Sequence, residues 1–335
     1  MQSLKSQIIT HIKQMFSAEK YDAHPALSTI SISMIKNEQD IIEPFIRHNS
    51  KLMDLMFIID NNSHDETKSI CLKLSRELRN IIIINNPSTT YDQSTITSQA
   101  LRYIQAATFS DFIFFLDADE FISASNQDDL LMKLANIPIG SCGLMPWKTF
   151  IPDPQLSESE QPEPLKRMRF RRRLESPQYH KAALRLGGTL DQRLTVSQGN
   201  HMVFNHKNKP LKTIYLHNIP LLHFPVRSMD QILAKGAIGH NANKARKDYI
   251  EGQGYQWERL HNIFLSGAQL NERQLAIEAV NYAQSASELT LESRIEIDNH
   301  NINETRKYSN GRFAHAEKLI LASQEHHKPW APPPY

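Results

Sequence analysis

Asp117 and Asp119 stand two residues apart at the end of the run Asp111-Phe112-Ile113-Phe114-Phe115-Leu116-Asp117-Ala118-Asp119-Glu120-Phe121-Ile122. Carboxylates at that spacing suit a hard divalent cation that bridges phosphate oxygens. An extended chain points both side chains the same way, and a turn fans them around one ion. The same tripeptide also serves as solvated punctuation at strand ends, so its meaning depends on what surrounds it. Further chemistry-bearing residues follow apolar runs: Lys36 and Glu38, then Asp60 and Asn61, then Asn85. A histidine, His223, closes another apolar run at Pro220-Leu221-Leu222. Imidazole with carboxylates suits Mn²⁺, although a lone histidine on an apolar strand is also an ordinary core residue.

The elements that must position these groups are legible. Phe112 to Leu116 is a continuous apolar run bounded by acids, the pattern of a strand buried on both faces. Similar strands are expected at Ser28–Ile35, Leu55–Ile59 and Ile81–Ile84, with helical periodicity between them. Recurrence every 25 to 30 residues or so predicts βαβ units and a mostly parallel sheet. Right-handed crossovers then bring all four polar strand ends to one edge, where open α/β sheets bind ligands. Neither a Walker A sequence nor Gly-x-Gly-x-x-Gly is present, so a cation rather than a backbone nest must neutralise any bound phosphate.

Three segments carry a family resemblance: Met34-Ile35-Lys36-Asn37-Glu38, Ile59-Asp60-Asn61-Asn62-Ser63-His64-Asp65-Glu66-Thr67, and Leu116-Asp117-Ala118-Asp119-Glu120-Phe121. They resemble the signatures of family 2 type nucleotide-sugar glycosyltransferases, in the branch with Lys-Asn-Glu and Asp-Asn-x-Ser-x-Asp-x-Thr. The resemblance is specific over about residues 28 to 122. It continues more weakly through Met145 to Phe150, Lys181, and His223-Phe224-Pro225-Val226-Arg227-Ser228. It implies a GT-A fold, Rossmann-like with helices flanking the sheet, a nucleotide-diphosphate-sugar donor with UDP favoured, and Mn²⁺ or Mg²⁺. By the same resemblance Asp60 contacts the nucleoside, Asp119 and His223 ligate the metal, and Asp117 reaches the ribose or a metal-bound water. Lys36, Glu38, Asn61 and Lys181 are further donor-side candidates, with Lys36 and Glu38 equally readable as capping residues.

Inverting transfer needs a base for the acceptor hydroxyl. The base signature usual in family 2 is not evident after Trp147; His201 and Asp191 are the candidates, with Glu175 behind them. Trp147 and Phe150 suit either a sugar platform or the core. Residues 151–164 carry four prolines and four acids and read as a surface loop or lid. The basic run Lys166 to Arg173 invites a nucleic-acid reading. A net charge of only +2 favours instead an ion-paired face or contact with an acidic ligand.

The expected organisation is an N-terminal helix (1–24), a GT-A domain (25–227), a helical subdomain (228–325) and a proline-rich tail (326–335). Cys71 and Cys142 are the only cysteines, which excludes a disulfide framework. No signal-peptide core and no apolar run near the ~18 residues of a membrane span is evident. A cytoplasmic enzyme of polysaccharide or glycoconjugate synthesis is expected, with a carbohydrate or glycoconjugate acceptor and no nucleic acid. Peripheral membrane contact and oligomerisation stay open. Two alternatives stand beside it: a nucleotidyltransferase, which should carry a glycine-rich basic first loop, and a non-catalytic carbohydrate-binding or scaffold protein.

Overall fold

Every residue of the strand Leu55–Asp60 is buried, because side chains alternate between two covered faces. Met56 and Ile58 join one core, while Leu55, Phe57 and Ile59 join the other. The same division sends Phe112, Phe114 and Leu116 one way and Ile113 and Phe115 the other. The computed structural model describes residues 3–16, 26–87, 92–186, 193–244, 255–267, 270–284, 287–314 and 316–325.

In chain order the first half contains α1 (Leu4–Phe16), β1 (Ala26–Ile35), α2 (Ile42–Asn49), β2 (Leu55–Asp60), α3 (Thr67–Glu77), β3 (Ile81–Asn85), α4 (Gln93–Gln105), β4 (Phe109–Phe115), β5 (Glu120–Ile122), α5 (Gln127–Leu134) and β6 (Cys142–Ile151). Then come α6 (Pro164–Arg167), β7 (Phe170–Arg172), β8 (His180–Arg185), β9 (Thr195–Val196), β10 (Val203–Phe204), β11 (Thr213–Tyr215) and β12 (Leu221–His223). The C-terminal part holds α7 (Met229–Lys244), α8 (Tyr255–Leu265), α9 (Glu272–Asn281), α10 (Leu291–Arg294), β13 (Ile295–Ile297) and α11 (Ala316–Glu325).

The main sheet runs β13-β7-β6-β8-β4-β1-β2-β3. Its β4-β1-β2-β3 part is parallel throughout, so the four expected βαβ strands are present. β8 is antiparallel to both β4 and β6 and extends the sheet beyond β4. α2, α3 and α5 contribute Phe45, Ile46, Leu74 and Leu130 to one face; α1 and α4 contribute Ile8, Ile12, Leu101 and Ile104 to the other. Register places Ile35 beside Asp60 and Asp60 beside Asn85, so three strand ends lie in a row. Strand order reverses between β1 and β4, which opens a crevice at their carboxyl ends.

The C-terminal part is less separate than its composition suggests. β13 pairs with β7 and so joins the sheet. Residues 307–309 fold over α2, where the buried Glu43 carboxylate accepts from the amides of Lys307, Tyr308 and Ser309. The 152–163 loop is also more packed than its polarity implies: Asp153 is buried, and Glu158 accepts from the Met229 amide. Asp191, named above as a base candidate, and the proline-rich tail lie outside the described residues. Among the described residues no helix is long and apolar enough to cross a membrane.

Candidate active site at the carboxyl edge of the sheet

The Asp117–Glu120 turn builds the site. Glu120 N donates to the Asp117 carbonyl, which reverses the chain into the short strand β5. β5 pairs antiparallel with β12, setting Glu120 opposite His223, and Phe224 N donates to the Asp119 carbonyl. A sequence separation of 104 residues is thereby closed, and Asp119 Oδ1 lies 3.9 Å from His223 Nε2.

His223 is buried and stacks on Trp147, with centroids 4.0 Å apart and planes inclined by 23°. Burial, with Arg172, Lys181 and Lys235 nearby, outweighs the pull of Asp119 and takes its pKa down to about 3. The imidazole is therefore neutral at ordinary pH, as a metal ligand must be. Burial alone would push the Asp119 carboxyl up, yet Lys235, His223 and Arg227 together hold it well below the usual range.

Asp117 faces the other way. It meets Lys181 Nζ, accepts from Gln93 Nε2 at 2.8 Å, and has its side chain one-third exposed. Lys181 is fully buried and also lies 3.4 Å from Glu120 Oε1. Glu120 in turn accepts from Trp147 Nε1 at 2.6 Å. The proposed metal set of Asp117, Asp119 and His223 thus divides into an Asp119–His223 pair and a separate Asp117–Lys181 pair. Among the described residues, no three His, Cys, Asp or Glu side chains cluster closely enough to hold a metal ion by themselves.

Behind Asp119 sits a buried ionic cluster. Arg227 is bidentate to Asp40, at 2.6 and 3.0 Å, and reaches Glu38 at 2.5 Å. Lys235 Nζ, arriving from α7, lies 3.2 Å from Asp119 Oδ2 and 3.3 Å from Glu38 Oε1. Glu38, Asp40, Asp117, Asp119 and Glu120 outnumber Lys181, Arg227 and Lys235. Burial first, and then the neighbouring acids, push the Glu38 and Glu120 carboxyls up, Glu120 to about 8.

Asp60, at the end of β2, is 1 % exposed, and neither of its carboxylate oxygens accepts a hydrogen bond of good geometry. Burial pushes this carboxyl up, with Ser63, Lys68 and Lys36 pulling back. A buried carboxylate left unmatched is costly unless a ligand completes it. Lys36, beside it, is pulled down by burial against the attraction of Asp60. Asn61 is fully buried and accepts from Asn86 Nδ2.

His201 meets Trp147 edge-on, with ring centroids 5.8 Å apart and planes inclined by 67°. Its Nδ1 faces the His180 carbonyl at 2.6 Å, so Nδ1 carries the proton and Nε2 the lone pair. Gly199 is required there: its φ is +74°, and a Cβ would stand 2.5 Å from His201 Nε2. Gln93 bridges the two halves, donating to Asp117 and accepting from Gly199 N. Glu175 accepts from the Thr149 amide and from Arg172, a structural pairing. A cavity of about 370 Å³ opens beside Trp147, lined in part by Lys148, Arg173, Gln178, His180 and His217.

The sequence reading did not find Lys235, Asp40, Gln93 or Tyr282, whose ring centroid lies 5.7 Å from that of His223. Arg227 appeared only inside the His223 segment, and no local spacing ties it to Asp40, 187 residues away. The basic run resolves into the buried Arg167 and Arg172, and Arg171, which pairs with Glu296 and Asp298.

No curated protein matches the sequence. Solved structures with a similar outline include S. aureus TarS residues 1–349, at 14% identity over 76% of this chain and 79% of that one, TM-score 0.36. Another is the mannosyltransferase PcManGT from Pyrobaculum calidifontis in complex with GDP-Man and Mn²⁺, at 16% identity over 87% of this chain and 90% of that one, TM-score 0.36. The α/β sheet, mostly parallel at its centre and flanked by helices, is the GT-A arrangement anticipated from the sequence. Its central part, residues 32–181, matches the family described as glycosyl transferase family 2, a match that supports glycosyl transfer and spans Asp60, Asp117, Asp119 and Lys181.

Proposed function

We propose that the protein is a metal-dependent hexosyltransferase that moves a sugar from a nucleoside-diphosphate donor to an acceptor hydroxyl with inversion. The observation that carries this reading is the Asp119–His223 pair. Its 3.9 Å gap is close to twice a metal–ligand bond of about 2.1 Å, and both groups are free of the proton that would block a metal. These residues fit a divalent cation, Mn²⁺ or Mg²⁺, which when bound would supply Lewis-acid stabilisation of the diphosphate.

The chain's own residues do the rest. Asp60 and Asn61 receive the nucleoside, with Lys36 and Glu38 beside them. Asp117, held by Lys181 and Gln93, faces the ribose side. His201 Nε2 takes the acceptor hydroxyl proton as the acceptor oxygen bonds to the anomeric carbon. The bond from that carbon to the diphosphate breaks, and the leaving oxygen keeps the electron pair. The cavity beside Trp147 is the acceptor's place. The setting that agrees with this reading is cytoplasmic polysaccharide or glycoconjugate synthesis, with UDP-sugars as the favoured donors.

Calorimetric titration of UDP and of GDP, each with and without Mn²⁺, tests the proposal on the wild type and on Asp119→Ala. Mn²⁺-dependent binding that disappears in the variant is expected. A folded wild type that binds neither nucleotide overturns the reading and returns the acids to a structural role.

A further inference from the structure

Lys235 is the feature of this site that the family signatures do not contain, and its position is specific. It extends from α7, whose first turn is tied to the site: Gln231 Oε1 accepts from Arg227 N, and Ser228 Oγ accepts from Gln231 N. The next residue, Gly236, packs so closely on α8 that a Cβ would stand 2.4 Å from Leu260 Cβ. The Lys235 backbone is therefore fixed where α7 packs on α8. Its side chain is 27 % exposed, unlike Arg227, which is wholly enclosed. A fixed base and a long, partly open stem that carries the ammonium to Asp119 and Glu38 describe a cation that can change partners without moving the fold.

One of its present partners, Asp119, is the carboxylate a divalent cation would need. The ammonium is 3.2 Å from Asp119 Oδ2, while Oδ1 of the same carboxylate faces His223. A divalent ion seated between Asp119 and His223 would thus share Asp119 with the ammonium. Two cations on one carboxylate repel strongly at such separations, unless a polyanion arrives to neutralise both.

We propose that Lys235 is a tethered counter-cation that holds Asp119 and Glu38 in the empty enzyme and binds the donor's diphosphate when the divalent ion takes Asp119. The inference rests on the glycosyltransferase reading above and adds a specific residue to it. It makes nucleotide and metal interdependent: the lysine competes with the ion alone but cooperates with the ion and diphosphate together. Removing it should therefore shift the two affinities in opposite directions, which simple loss of structure cannot do.

The test titrates Mn²⁺ into wild type, Lys235→Met and Lys235→Arg, following free Mn²⁺ by electron paramagnetic resonance. UDP and GDP are then titrated calorimetrically at saturating Mn²⁺. Lys235→Met should bind Mn²⁺ at least fivefold more tightly without nucleotide, and its better nucleotide at least tenfold more weakly. Lys235→Arg, which keeps the charge, should stay within about threefold of wild type for nucleotide. Should Lys235→Met melt early by circular dichroism, Lys235→Gln replaces it. A neutral variant with weakened Mn²⁺ binding, or with unchanged nucleotide affinity, overturns the role of Lys235 while leaving the glycosyltransferase reading intact. A wild type that takes up neither nucleotide overturns both.

Discussion

The imidazole of His223 stacks on the indole of Trp147 at 4.0 Å, and the same indole donates through Nε1 to the Glu120 carboxylate at 2.6 Å. One side chain thus fixes the ring plane of the proposed metal ligand and satisfies a buried acid beside it. Trp147→Phe keeps a ring under His223 but leaves Glu120 short of a donor. That exchange should cost about 1–3 kcal/mol, read as a shift in urea midpoint at constant slope. A variant as stable as the wild type would mean that Lys181 and the Asp117 amide satisfy Glu120 without the indole.

Asp60 should behave in the opposite way. Its carboxylate is buried with neither oxygen well bonded, an arrangement that costs stability as long as no ligand completes it. Asp60→Asn removes the buried charge at nearly constant shape. Thermal stability should hold or rise, while UDP or GDP affinity in Mn²⁺ falls at least tenfold, about 1.4 kcal/mol. A variant that loses stability and keeps nucleotide affinity would make Asp60 a structural residue.

What could be read from the sequence follows the range of the interactions. The strands were legible because burial on two faces leaves an unbroken apolar run, and Asp60 and Asp119 because each lies just after one. His223 was singled out through the family resemblance, in frame with Arg227, and not through any local pattern. What stayed hidden depends on contacts that no local pattern encodes: Lys235 reaches Asp119 across 116 residues, and Arg227 reaches Asp40 across 187. β5 and β13, three residues each, are too short to show a period. The ion-paired face expected of the basic run holds for Arg171, which meets surface acids, but a strand sends alternate side chains to opposite faces, and Arg172 goes inward to the Ala279 and Tyr282 carbonyls.

Arg227 is the structural counterpart of Lys235. It is completely buried and bonded to Asp40, Glu38 and the Phe224 carbonyl. Arg227→Met leaves two buried carboxylates without their fork, which should cost about 3–5 kcal/mol in chemical denaturation. Arg227→Lys keeps the charge but cannot reproduce the bidentate geometry, and should recover only part of that loss. A cost below about 1 kcal/mol for the methionine variant would show that Lys235 can neutralise the cluster by itself.

Glu120 gives the site a distinctive dependence on pH. Burial, with Asp117 and Asp119 adding to it, raises this carboxyl from 4.5 to about 8 against the pull of Lys181. Between those values the folded protein holds a proton that the unfolded chain has released. Stability therefore falls as pH rises through that window, and the loss is complete above about 8. Glu120→Gln lacks the titrating group and should lack this contribution. The stability of the wild type relative to Glu120→Gln should accordingly decline from pH 5 to pH 8, measured by urea denaturation in buffers of equal ionic strength. Parallel profiles would mean that Glu120 stays ionised in the fold, held by Lys181 and the Trp147 indole.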